Sequence, residues 1–162
     1  RFAPGVLIVA HRLGYIMANA GIDSSNLPIN PDGKERVLLL PENPDKSCRN
    51  FRATIENHYQ RRIGVIISDS VGRAWRNGSV GLALGVAGPP AGWNRVGEKD
   101  LFNRSLRVTH LALGDQIASA AALVMGEGDE GQPLVIVNGL HWEPATSDGK
   151  ALLRPKTEDL FR

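Results

Sequence analysis

Apolar residues in this chain come in short runs broken by glycine, proline and charge. Residues 5–10 and 37–40 read as strands, and residues 134–137 (Leu-Val-Ile-Val) as the last clear one. The run 63–68 reads as a buried strand that stops abruptly at Asp69. A hydroxyl, a glycine, two arginines and a tryptophan follow within seven residues. Asn43-Pro44-Asp45 sets up a helix start: a capping amide, proline at the first helical position and an acid in the first turn. The helix is expected over 44–61, with Cys48, Phe51, Ile55 and Tyr59 as its core-facing stripe. Cys48 then reads as a packed thiol rather than a nucleophile, and His58 as solvated. A short strand at 106–109 precedes an alanine-rich helix ending at Met125, with Leu113, Ile117, Ala121 and Val124 on its apolar face.

Glycines punctuate the apolar run 80–88 at positions 81, 85 and 88, which marks a bulge or a second backbone passing close by. Residues 89–104 form a long connection of the kind that tends to be functional or interfacial. The tail 152–161 is expected to dock through Leu160 and Phe161.

The length, 162 residues, fits a single domain over 1–162 with a sizeable core. Nineteen lysines and arginines against 17 acids leave a net charge of +2, too balanced to imply nucleic acid or an anionic membrane as a partner. No apolar run approaches the ~20 residues that span a bilayer. The single cysteine, Cys48, excludes an internal disulfide and fits a reducing cytoplasm. Neither a CxxC nor an HExxH pair occurs, which argues against zinc. His110 and His141 have no serine and acid partners in a triad pattern. The first residue is Arg1, and a strand is already under way at Val6, so a preceding stretch is expected.

Three acidic motifs lie at the ends of apolar elements: Asp23 with Asn26, Asp69 with Ser70, and Glu127 in the run Gly126-Glu127-Gly128-Asp129-Glu130-Gly131. Each also has a plainer reading, as an Asx turn, a turn aspartate and a helix cap with a solvated turn. Together, oxygen ligands beside glycines suit magnesium or manganese with a phosphate-bearing ligand. Arg73 and Arg76 are candidate catalytic residues, since their charge suits acidic substrates or a developing phosphoryl charge; solvated surface arginines are the alternative.

The segments Ala18-Asn19-Ala20-Gly21-Ile22-Asp23-Ser24-Ser25-Asn26 and Ile66-Ile67-Ser68-Asp69-Ser70-Val71-Gly72-Arg73-Ala74-Trp75-Arg76 resemble the coenzyme F-420-0:L-glutamate ligases. So do Leu39-Leu40-Pro41, Lys99-Asp100-Leu101-Phe102 and Leu123-Val124-Met125-Gly126-Glu127, in a collinear series along the whole chain. The resemblance implies an α+β fold with mixed β-sheets and flanking helices. It also implies a homodimer and a GTP- and Mg²⁺- or Mn²⁺-dependent ligase that joins L-glutamate to the F-420-0 precursor through an acyl phosphate. By the same resemblance Asp23, Asp69, Ser70 and Glu127 are metal ligands. Asn26 and the loop Met125, Gly126, Glu127, Gly128, Asp129, Glu130, Gly131 and Gln132 touch the nucleotide. Two positions depart from the pattern: Asn94 and Asn103 stand where an aspartate and a glycine are expected, and the family's further N-terminal stretch has no counterpart here. The alternatives are a non-catalytic homologue or fragment that binds metal or nucleotide, and a ligase that glutamylates a different acid.

Overall fold

The computed structural model describes residues 2–3 and 5–159. Three short strands, β1 (Phe2–Ala3), β2 (Val6–Ala10) and β3 (Ile16–Ala18), form an antiparallel sheet in that order. A 3₁₀ turn at Asn19–Gly21 follows, and then a loop leads to helix α1 (Pro44–Tyr59). The long hairpin of β4 (Val65–Arg73) and β5 (Arg76–Ala87) is the centre of the molecule. Beyond it lie a two-stranded ladder, β6 (Trp93–Asn94) with β7 (His110–Leu111), helix α2 (Leu113–Met125) and two 3₁₀ turns at Gly149–Leu152 and Lys156–Glu158. The expected α+β class is therefore correct, with small antiparallel sheets and two helices against the hairpin. The expected docking of Leu160 and Phe161 lies outside the described residues.

Helix α1 starts as its sequence dictates: the Asn43 side chain accepts from the Lys46 amide, and proline occupies the first turn. It ends at Gln60, whose left-handed backbone (φ 51°) closes the last turn. The expected stripe is only partly right. Cys48 is fully buried, but Phe51 and Tyr59 are exposed. The inward face instead carries Arg52 and Glu56. Arg52 Nε donates to Glu56 (3.0 Å) and to the Ile63 carbonyl (2.9 Å), and Glu56 accepts the Ile63 amide (3.0 Å). That polar clasp fixes the turn into β4.

On α2 the fully buried residues are Gly114 and Ala118; of the expected face Leu113, Ile117 and Ala121 are half-buried and Val124 is 51 % exposed. The reason is β5. A Cβ on Gly81 would overlap the Ala118 carbonyl, and one on Gly85 would overlap the Pro44 carbonyl. Two helix backbones thus sit directly on a strand that has glycine where they touch it. Leu84 joins Tyr15, Met17 and Val71 in one core cluster. Ala83 and Val86 join Ala91 and Ala118 in the other, on the opposite face of the strand.

Four strand expectations need correction. The strand expected to stop at Asp69 continues to Arg73, because Asp69 and Ser70 pair with Leu82 and Gly81 in the ladder. Residues 37–40 supply only one bridge, Leu38 with Asp23, and residues 134–137 carry no strand pairing among the described residues. Strand propensity is a preference for a pleated neighbour, and neither run has one here. The strand expected at 106–109 falls instead at His110–Leu111.

Asp45 is the buried charge on which this packing turns. It is 2 % exposed, and its Oδ1 accepts the amides of Val86 (2.9 Å) and Gly149 (2.7 Å). Asp45→Ala leaves both amides without a partner and should cost about 3 kcal/mol or more. Asp45→Asn keeps an acceptor oxygen and should cost clearly less; urea denaturation measures both.

Alkaline pH should also weaken the fold. Burial, with the charges of Asp45 and Asp148 behind it, pushes the Tyr15 hydroxyl up to about 12, and burial pushes the Cys48 thiol up to about 11. Both must stay neutral in the folded protein. Their contribution is complete below the ordinary values of 9.0 for Cys48 and 10.0 for Tyr15 and is lost as pH rises toward the folded ones. Urea midpoints should fall between pH 9 and pH 11, and less steeply in Cys48→Ala.

Candidate metal and nucleotide site

Three remote stretches meet around one open cleft of about 780 Å³: residues 17–26, the middle of β4, and the loop after α2. The first is shaped by consecutive left-handed residues, Asn19 (φ 50°), Ala20 (φ 56°) and Gly21 (φ 69°), which turn the chain sharply after β3. Gly21 is required twice over, since a side chain there would also press on Leu40. The backbone of Asp23 is then pinned to Leu38 by two hydrogen bonds of 3.2 and 2.7 Å.

The Asp23 carboxylate accepts the Ser25 amide and the Ser25 hydroxyl, both at 2.8 Å. Those bonds hold its carboxyl below the usual range. This is the Asx turn of the plainer reading, and the same residue lines the cleft. Asp69 behaves oppositely. Burial pushes its carboxyl up, the Ser70 amide (2.8 Å) partly opposes this, and the charges of Asp23 and Glu127 push it further up. Asp69 therefore feels both of the other carboxylates across the cleft. Among the described residues no three His, Cys, Asp or Glu groups are drawn onto a common point. The acids stand around an open space.

Ser70 lines the cleft beside Asp69 and is exposed. Arg73 and Arg76 are not brought to it. They face each other at the far end of the hairpin, where Arg73 Nη1 donates to the Gly78 carbonyl (3.3 Å) and Trp75 turns the chain at φ 67°.

The loop after α2 begins at Gly126, whose φ of 72° ends the helix. Met125, Gly126, Glu127, Gly128, Asp129, Gly131 and Gln132 all line the cleft; Glu130 does not. The exposed Glu130 side chain folds back along its own loop and accepts the Gly128 amide (2.8 Å), while Asn26 reaches across and donates to the Gly128 carbonyl (2.9 Å). The lining also includes Met17, Ala18, Asn19 and Gly72, which sequence reasoning did not single out. Their signal was proximity in sequence to Asp23 and Asp69.

Residues 93–104 stand apart from this cleft. The two unexpected asparagines keep the local geometry there. Asn94 Oδ1 accepts the Val96 amide (2.9 Å), as an aspartate would, and Asn103 sits at φ 61°, a conformation glycine favours and asparagine tolerates.

Residues 1–139 match the family model described as F420-0:Gamma-glutamyl ligase. The chain belongs to that family. It is 47 % identical over 156 residues to the coenzyme F420:L-glutamate ligase of Methanocaldococcus jannaschii, covering 96 % of this chain and 60 % of the relative. It is 48 % identical over 153 residues to the enzyme of that name from Methanothermobacter thermautotrophicus, covering 93 % and 59 %. With the one from Methanopyrus kandleri it shares 43 % over 166 residues, covering 100 % and 64 %. The chain thus spans about three-fifths of the length of these γ-glutamyl ligase relatives.

If Gly126 shapes the loop, Gly126→Ala should disturb it twice, by its positive φ and by overlap with the Glu130 carboxylate. Amide hydrogen exchange across residues 126–131 should speed up in that variant while the β4–β5 amides stay protected.

Proposed function

We propose that the protein containing this chain is a GTP- and divalent-metal-dependent γ-glutamyl ligase that adds L-glutamate to the coenzyme F420 precursor. The observation that carries the metal part is the charge of the cleft. Among the described residues its lining has four acids (Asp23, Asp69, Glu127 and Asp129) and no lysine, arginine or histidine. A nucleotide triphosphate brought against such a wall would be repelled unless cations came with it. The available donors are carboxylate, hydroxyl and amide oxygens, the set that Mg²⁺ or Mn²⁺ takes.

On this reading Asp23, Asp69, Ser70 and Glu127 hold the ions, which when bound neutralise charge on the transferring phosphoryl group. Residues 125–129, residues 131–132 and Asn26 border the space for the nucleotide. The precursor carboxylate attacks the γ-phosphorus and GDP leaves, giving an acyl phosphate. The glutamate amine then displaces phosphate, so that one amide forms and one phosphate is released. Positioning supplies most of the rate in such chemistry. Arg73 and Arg76 would reach acidic groups only beyond the cleft edge, which makes them candidates for substrate capture. A homodimer fits the apolar side chains exposed outside the cleft, such as Leu101 and Val108.

With the full-length protein, GDP release should require precursor, glutamate and Mg²⁺ or Mn²⁺ together; GDP release without glutamate incorporation would reject the ligase. For the site, Mn²⁺ affinity should be measured in Asp23→Asn, Asp69→Asn and the double variant. Ligands of one ion should couple by ~0.5–3 kcal/mol. Losses that simply add would mean that the two acids do not share an ion.

A further inference from the structure

Gly128 is held at both of its backbone polar groups. Its N–H donates to Glu130 Oε2 at 2.8 Å, from within the loop, and its carbonyl accepts Asn26 Nδ2 at 2.9 Å, from across the cleft. Neither clasp depends on any ligand. Glu130 is exposed, yet its carboxylate lies against Gly126, in the space that a side chain there would need, and it does not line the cleft. At the start of the loop the Gly126 amide closes the helix on the Ala122 carbonyl at 3.1 Å. Glu127 lies between these fixed points, with Gly126 on one side and the clamped Gly128 on the other.

We infer that Glu130 and Asn26 are positioning residues that clamp the Gly128 peptide and thereby aim Glu127 at Asp69, so that Glu130 serves the site without touching metal or nucleotide. Asn26 ties together the two loops that carry Asp23 and Glu127, so the acids on opposite walls of the cleft move as one unit. A clamp of this kind acts on the site as the partners that orient metal ligands do, where loss typically lowers affinity ~10- to 100-fold. The inference rests on the metal reading above for its functional consequence, but the clamp itself is a property of the loop.

Glu130→Gln separates the roles, because the amide keeps an acceptor oxygen for the Gly128 N–H and discards the charge. The full-length protein should be prepared as wild type, Glu130→Gln and Glu130→Ala, and two quantities read: Mn²⁺ affinity by titration and Gly128 amide exchange by NMR. The clamp predicts that Glu130→Gln stays within about twofold of wild type in both. Glu130→Ala should lose about tenfold in Mn²⁺ affinity and expose the Gly128 amide to exchange. Equal losses in Glu130→Gln and Glu130→Ala would make Glu130 a charged ligand and overturn the inference. So would a Gly128 amide that exchanges freely in wild type. If wild type protects Gly128 yet binds no Mn²⁺, the metal reading fails, and the assignment of Glu130 as an aid to metal binding fails with it, while the exchange arm still establishes the clamp.

Discussion

A buried carboxylate in the first turn of α1 holds the hairpin in place, and most of the molecule depends on that hairpin. Asp45 accepts amides from β5 and from the Gly149–Leu152 turn, joining three parts of the chain that are far apart in sequence. Asp115, in the first turn of α2, does the same for the Ala83 amide at 3.0 Å. Strand β5 therefore donates to two helix aspartates where a larger sheet would supply a third strand. The Ser119 hydroxyl adds a bond to the Gly81 carbonyl at 2.8 Å. An acid at a helix N-terminus is favoured by the helix dipole, so each helix stabilises the charge that grips the strand. Gly81 and Gly85 make the grip possible by letting both helices approach to backbone contact.

The same arrangement sets Asp69. Because β5 is fixed by two helices, the register of β4 follows, and with it the position of each cleft-facing side chain. A register shift between Ile67 and Ser68, opposite the extra residue Leu84, falls one residue before Asp69. Bulges re-aim side chains, and this one stands where the strand passes from core to cleft. Leu84 itself is locked by its place in the core and by its carbonyl, which accepts the Tyr15 hydroxyl. One wall of the site is thus built from the core. The other two walls are loops held by local hydrogen bonds, those of Asp23 with Ser25 and of Gly128 with Glu130 and Asn26.

What the sequence made legible follows this division. The α1 cap, the packed Cys48, the close approach at Gly81 and Gly85 and the meeting of Asp23, Asp69 and Glu127 all rest on local chemistry or on motif spacing. The misplaced details are those decided by partners distant in sequence. Periodicity favoured Phe51 and Tyr59 on the buried side of α1, whereas Arg52 and Glu56 turn inward because Ile63 offers them backbone groups. It favoured leucine and valine on α2, whereas close approach to β5 buries Gly114 against Ala83 and Val86, and Ala118 against Gly81. Asp69 looked like a strand end because polarity begins there, yet the ladder continues since its partner residues do not require an apolar face. Nothing in the sequence distinguished Glu130 from its acidic neighbours; only its hydrogen bond to the Gly128 amide does.

The electrostatics of the cleft sets a constraint on how anything anionic can enter it. Asp69 is half-buried and already faces the charges of Asp23 and Glu127, so a further anion adds repulsion to a site that carries an excess of it. The basic residues closest along the chain, Arg73 and Arg76, sit at the hairpin end and do not line the cleft. Compensation must therefore come from cations, from loop amides, or from both. The amide of Gly128 is taken by Glu130 and that of Ser70 by Asp69, which removes two of the cradle's own donors. A wall that spends its amides on its own carboxylates and offers outward mainly oxygen acceptors is suited to hold a cation first and a phosphate through it.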